Sequence, residues 1–221
     1  EINRVLTDHI SSFLFCPSDL AVLNLNNEGI KNNVKNVGDI MQESVLMFKD
    51  KLKPSSKVEA LAAEKEFCLF TLHRQENVEE KTTLEEIFTA LSQFKERIIF
   101  PIHPRTKKRL EEFSLKIPSN IHIIPPASYG DILFLMRNSQ FVITDSGGLQ
   151  KESYFLDKKC LVLRKETEWK ELVEEKISFL GGTLGDDIMQ SYFNLNASTT
   201  LFKSGIYGNG NTSEQIVKTI Y

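Results

Sequence analysis

The chain has 221 residues, 41% of them hydrophobic and 26% charged, the make-up of a folded globular protein rather than a disordered or fibrous one. Lysine and arginine total 27 against 30 aspartate and glutamate, a formal net charge of −3. That balance excludes the broad basic footprint of a nucleic-acid or anionic-membrane binder, and leaves room for a small anion held by local groups.

The three cysteines, Cys16, Cys68 and Cys160, each lie in an apolar run, with neither a Cys-x-x-Cys pair nor a zinc pattern. They read as reduced core residues of a cytoplasmic protein, and no metal site is expected. The longest apolar stretches have the length of buried strands, short of the ~20 residues that a membrane helix needs. No charged-then-apolar leader opens the chain. Glu1 is followed at once by a helical pattern, Ile2, Val5, Leu6, His9 and Ile10, so the sequence is expected to start inside a longer protein.

In chain order the periodicities predict helix 2–12, strand 13–16, helix 18–28, strand 33–37 and a helix from 39 to 51. The polar, proline-bearing stretch from Lys51 to Lys57 then reads as a linker. Strand 67–72 follows, with helix 82–95 behind it and Thr83 as its N-cap. Strand 97–102, helix 105–114, strand 120–124, helix 128–137, strand 140–144 and helix 147–156 continue the alternation. Strand 159–163, helix 167–174, strand 177–180, a helix from 184 and a last helix from Thr212 or Ser213 complete it. Strands alternating with helices at this spacing predict an α/β protein with parallel, Rossmann-like sheets.

In such sheets ligands sit beyond the carboxyl ends of the strands, which singles out three places. The first is Thr144-Asp145-Ser146-Gly147-Gly148, running into a helix that carries Glu152. Gly147 and Gly148 lack the Cβ atoms that would keep a ligand from the backbone, and first-turn amides with the helix dipole favour phosphate oxygens. Ser146 adds a hydroxyl, and Glu152 stands where a carboxylate takes the two hydroxyls of a ribose. An ordinary strand-to-helix turn capped by Asp145 or Ser146 reads equally well from these residues.

The second place is His73-Arg74-Gln75-Glu76-Asn77, polar groups at a strand end where burial without partners is costly. His73 is suited to donating to a diphosphate or moving a proton near neutral pH; the competing reading is a surface turn with Arg74 paired to Glu76. The third is His103, held between two prolines, followed by a basic run that reads as a solvated helix face. His9 and His122 read as structural. Trp169, just past a buried strand, either flanks a base or sugar or simply packs.

Together, Glu1-Ile-Asn3-Arg4, His73-Arg-Gln-Glu-Asn77, His103-Pro, Thr144 through Glu152, Arg164-Lys-Glu-Thr-Glu168 and Tyr207-Gly-Asn-Gly210 resemble the non-hydrolysing UDP-N-acetylglucosamine 2-epimerases, in order and spacing over nearly the whole chain. The resemblance implies a glycosyltransferase-B architecture of two Rossmann-like domains. It places residues 1–52 as the tail of the first domain, 53–204 as the UDP-binding domain and 205–221 as a helix packing back toward the first.

The resemblance also implies a UDP-sugar substrate, elimination and re-addition of UDP without metal or other cofactor, and a homodimer at full length. Ser146, Gly147 and Gly148 would hold the diphosphate, Glu152 the ribose and the backbone near Ile132 the uracil. His73 would stand by the leaving oxygen, with Arg74, Glu76 and His103 in support, and Arg4 would add a charge from the first domain. Glu1 matches the second of two adjacent glutamates in the family motif. Trp169 stands where the commonest members have an arginine. That substitution, in the phrase Glu-Thr-Glu-Trp, looks more like the branch acting on UDP-2,3-diacetamido-2,3-dideoxyglucuronate. A UDP-sugar transferase with the same pocket is the other alternative.

Overall fold

The computed structural model describes residues 2–64 and 66–221. The chain divides into two compact units, one running to Met47 and taking in Lys203–Tyr221, the other spanning Phe48–Phe202. Among the described residues, no helix is long and apolar enough to cross a membrane.

The first unit opens with α1 (Ile2–Ile10), followed by β1 (Leu14–Cys16), α2 (Asp19–Asn27) and β2 (Val34–Asn36). The strands pair in parallel, Leu14 opposite Val34, with α2 as the crossover that parallel strands require. Ser18 caps α2 through its hydroxyl, which accepts from the Ala21 amide, and the helix lays Leu25 against Leu14 and Cys16. After α3 (Ile40–Phe48), the unit is completed by the chain's last segment and its helix α12 (Thr212–Ile220). Gly38 and Gly208 make that return feasible. Both have positive φ, and a Cβ on Gly208 would stand 2.8 Å from the Gly38 Cα, so the two backbones approach as only glycines permit. The Asp39 amide donates to the Tyr207 carbonyl at 2.8 Å, and Ser213 donates from its amide and hydroxyl to the Glu43 carboxylate.

The second unit is a six-stranded parallel sheet in the order β5-β4-β3-β6-β7-β8. Its strands are β3 (Phe67–Thr71), β4 (Arg97–Pro101), β5 (Ile121–Ile124), β6 (Val142–Thr144), β7 (Cys160–Val162) and β8 (Ser178–Leu180). Around them lie α4 (Ser56–Ala63), α5 (Gln75–Val78), α6 (Lys81–Leu91), α7 (Pro104–Glu112), α8 (Tyr129–Asn138), α9 (Gly147–Phe155), α10 (Lys170–Glu174) and α11 (Gly185–Ala197). Central strands read as apolar runs because both faces are covered. Cys68, Phe70, Ile98 and Phe100 are buried in one continuous core with Leu84, Ile87, Phe88 and Leu91 of α6. The rings of Phe70 and Phe100 meet at a tilt with centroids 4.3 Å apart. The expected α/β class, the parallel sheets and the burial of all three cysteines are borne out.

Three expectations need correction. The stretch from Lys51 to Lys57 leads directly into α4, a helix that a linker reading passed over; Val58 and Ala62 are buried on its inner face. Thr83 lies inside α6, whose N-cap is Glu80. The helix expected over 167–174 starts only at Lys170, so Thr167, Glu168 and Trp169 form an extended loop. Local pattern finds neither the turn α5 nor this loop, since both are shaped by contacts with distant residues.

The glycine pair yields a test. Gly208→Ala is expected to lower the unfolding free energy by about 2 kcal/mol in urea titration, combining left-handed strain with a backbone clash; a change under about 0.5 kcal/mol would show that the two segments do not press together.

Candidate functional site

The strand order reverses between β3 and β6, so the crossovers from these neighbours leave the sheet in opposite directions and open a crevice at their carboxyl ends. The two strands are tied there by a 2.6 Å hydrogen bond between the hydroxyls of Thr71 and Thr144. Thr144 Oγ1 also accepts from the Ser146 amide at 3.0 Å. The chain next places Asp145, fully buried, across from the segment that leaves β3.

Asp145 is an acceptor for four donors. The amides of His73 and Arg74 donate to Oδ2 at 3.0 and 2.8 Å, and Asn77 Nδ2 donates to the same oxygen at 3.1 Å. His73 Nδ1 lies 3.2 Å from Oδ1. Burial alone would push the Asp145 carboxyl up, but the His73 and Arg74 hydrogen bonds outweigh it and hold the group below the usual carboxylate range. The four-residue α5 follows from this arrangement: its Asn77 reaches both Asp145 and the Leu163 carbonyl at the end of β7.

His73 is thereby fixed. With Nδ1–H directed at Asp145, the opposite nitrogen Nε2 is the one left to face a ligand, on a side chain that is 39% exposed. Arg105 Nη1 donates to the His73 carbonyl at 3.1 Å. His103 lies beside it with ring centroids 5.6 Å apart. It is the N-cap of α7, its Nδ1 accepting from the Arg105 amide at 3.2 Å. Burial, then the neighbouring His73 and Arg105, push the His103 imidazole below its ordinary value. The basic run after it is a solvated face, with Lys107 and Lys108 opposite Glu111 and Glu112.

The glycine turn opens α9. Ser146 is its N-cap, Oγ accepting from the Leu149 amide at 3.4 Å, which answers the choice between Asp145 and Ser146. Of the first turn's four orphan amides, those of Ser146 and Leu149 are satisfied internally. Among the described residues no acceptor takes the Gly147 or Gly148 amide. Gly147 needs no glycine for its own sake: its φ is not positive, and a Cβ there would meet only ordinary contacts, 3.5 Å to Trp169 Nε1 and 3.6 Å to Glu168 Oε2.

Glu152, less than two turns further along α9, is buried. Burial raises its carboxyl, with a Tyr129 hydrogen bond and the Lys151 charge acting against that. Tyr129, at the start of α8, is pushed to about 12 by partial burial and by this carboxylate. Ile132, half-buried on α8, donates its amide to the Ser128 carbonyl at 2.9 Å within the helix.

A rim of charge borders the crevice. Arg164 grips Glu168 in a two-pronged contact at 2.7 and 2.9 Å, while Arg74 stands 3.6 Å from Glu76 and 3.9 Å from Glu168. The Arg164 hydrogen bonds lower the Glu168 carboxyl. The Arg74–Glu76 pair and the exposed His73 match the surface-turn reading, and the buried Asp145 behind them shows that the turn is also a built one. Beside it lies a cavity of about 520 Å³ lined by Glu76, Asn77, Arg164, Lys165, Glu166 and Thr183. In the other unit, Arg4 pairs with Asp8 at 2.7 Å and Glu28 at 2.8 Å. Glu1 lies outside the described residues.

His73, Arg74, Glu76, His103, Ser146, Gly147, Gly148, Glu152 and Trp169 all belong to the second unit and stand on the ends of its strands or the helices that follow. Sequence reasoning missed Tyr129, named Asn77 within the strand-end cluster without giving it a role of its own, and gave Asp145 only a capping role. The signal for Asp145 was available: an acid directly after a buried strand must find donors, and a polar cluster ends the neighbouring strand.

These features define a Rossmann-like α/β protein that presents open helix amides and a carboxylate-oriented histidine at a switch point of its sheet. The chain belongs to the UDP-N-acetylglucosamine 2-epimerase family, whose sequence profile matches residues 1–221. It is 41% identical to a UDP-N-acetylglucosamine 2-epimerase homolog of Methanococcus maripaludis, over all of this chain and 63% of the relative. It is 38% identical to UDP-2,3-diacetamido-2,3-dideoxy-D-glucuronate 2-epimerase of Pseudomonas aeruginosa, over 99% of this chain and 62% of that protein. Its fold superposes with TM-score 0.89 on the crystal structure of Methanocaldococcus jannaschii UDP-GlcNAc 2-epimerase in complex with UDP-GlcNAc and UDP, at 38% identity, covering 100% of this chain and 64% of that one. The chain thus spans less than two thirds of the length of these relatives.

Asp145→Asn is expected to cost about 3 kcal/mol at pH 7, since an amide nitrogen would face donors in a buried site. A carboxyl held low in the fold contributes stability that is present above its unfolded value of about 3.9 and lost as pH falls through the folded value. Urea unfolding between pH 7 and pH 2 should therefore decline less steeply below about pH 4 in the variant; parallel curves would show that Asp145 is not held low.

Proposed function

We propose that the chain is the nucleotide-binding portion of a UDP-N-acetylglucosamine 2-epimerase, interconverting UDP-N-acetylglucosamine and UDP-N-acetylmannosamine. The observation that carries this reading is the pair of open amides at Gly147 and Gly148 beside a histidine oriented by a buried carboxylate. Ser146, Gly147 and Gly148 hold the diphosphate, and Glu152 takes the ribose hydroxyls. Arg74, Glu76 and His103 frame the site, and Trp169 backs the glycine turn. The uracil lies against the backbone near Ile132.

In this reaction the C2–H bond breaks, its electron pair forms a C1–C2 double bond, and the C1–O bond gives its pair to departing UDP. His73 donates from Nε2 to the leaving β-phosphate oxygen while Asp145 holds Nδ1. UDP then adds back to C1 as a proton returns to the opposite face of C2. The proton leaving C2 passes to a carboxylate, a role this reading gives to Glu1. The free, buried cysteines support a cytoplasmic enzyme, and the family resemblance a homodimer at full length. The Pseudomonas relative supports a second substrate, the diacetamido uronate, read from the same pocket.

Incubation of the full-length protein with UDP-N-acetylglucosamine in deuterated water is expected to invert C2 with one solvent deuterium incorporated; sugar transfer to an added acceptor would instead overturn the epimerase reading. Gly148→Val should abolish UDP binding in calorimetry without unfolding the chain, and an unchanged affinity would remove the glycine turn from the site. His73→Ala should slow turnover at least about 100-fold with a far smaller change in UDP affinity; equal losses in both would make it only a binding residue.

A further inference from the structure

Trp169 is the one tryptophan in the chain, and its indole N–H donates to a backbone carbonyl, that of Gly147, at 2.8 Å. That carbonyl and the Gly148 amide belong to a single planar peptide group and point in opposite directions. Holding one therefore orients the other. The group joins two glycines, the residues with the widest backbone freedom, in the first turn of α9, so the indole bond adds to the restraint that the helix already gives.

The loop that carries Trp169 is itself tied to α9. Thr167 Oγ1 donates to Gln150 Oε1 at 2.6 Å, and the Trp169 amide donates to Thr167 Oγ1 at 3.2 Å. The buried Lys151 places its amine 4.0 Å from the centre of the indole ring, a cation–π contact. Turning the ring would break the contact with Lys151 and the bond to Gly147 together. One face of the ring is already covered by Lys151, which counts against that face as a platform for a base.

We propose that Trp169 is a positioning residue, whose indole N–H, bonded to the Gly147 carbonyl, aims the Gly148 amide at the phosphate oxygens of a nucleoside diphosphate. This rests on the nucleotide site proposed above. A hydrogen bond accepted by the carbonyl also polarises the amide of the same peptide and makes it a stronger donor. Trp169 thus acts through the backbone, with its own donor engaged elsewhere than on the ligand.

Trp169→Phe keeps an aromatic face for Lys151 and removes the donor. In calorimetry the variant should bind UDP about tenfold more weakly than the parent chain, with uridine affinity unchanged, because the loss falls on the phosphates alone. Equal UDP affinity in the two proteins, or equal proportional losses for UDP and uridine, would overturn the proposal. The ligand-free chain gives an independent arm: the ¹⁵N order parameter of the Gly148 amide should fall from about 0.85 toward 0.6, and an unchanged value overturns the clamp whether or not UDP binds. A parent chain that ignores UDP sinks the nucleotide site instead, a result distinct from a variant that binds as well as its parent. Should the phenylalanine variant fail to fold, an isosteric tryptophan analogue with sulfur in place of the indole N–H, incorporated at this one position, is read by the same outcomes.

Discussion

The site depends on one buried carboxylate. Asp145 lies at the end of β6 with no exposure to solvent, where an isolated charge would be prohibitively costly. The donors that compensate come from a single neighbouring segment: two successive amides, the Asn77 side chain and the His73 ring. Satisfying the charge therefore shapes everything that leaves β3. It bends the backbone after Leu72, sets the single turn of α5 and points one nitrogen of His73 outward.

The glycine turn is the complementary half. Asp145 takes its partners from the segment after β3, while among the described residues two amides of the next three residues are unclaimed. Side chains around them are engaged with one another, Arg164 with Glu168 and Lys151 with Trp169. The crevice is thus stiff at its rear and open along a short stretch of backbone. That division suits electrostatic stabilisation by pre-set dipoles, which need not reorganise as charge moves onto a leaving group.

Much of this was legible in the sequence. The alternation of apolar runs and helical patterns is a local property, and Phe67–Thr71 or Val142–Thr144 announce themselves as buried strands without reference to anything distant. The glycine pair, His73 and Glu152 stood out by position, just beyond strand ends. What stayed hidden is long-range. Gln75–Val78 has too few residues to carry a periodic signal and is a helix only because Asp145 holds it. Thr167–Trp169 looked like the first turn of a helix, whereas its hydrogen bonds run to Gln150 and Gly147 instead. Tyr129 meets Glu152 across some twenty residues of chain, a contact that spacing does not encode.

The reach of Asn77 also bears on how the protein acquires its shape. Its side chain joins Asp145 and Leu163, 68 and 86 residues further along, so these bonds cannot both close until β6 has docked beside β3 and β7 beside β6. Loop-closure entropy must be overcome first. On this ordering the sheet is assembled with its business end unfinished, and the orientation of His73 is among the last details to be settled as the chain matures.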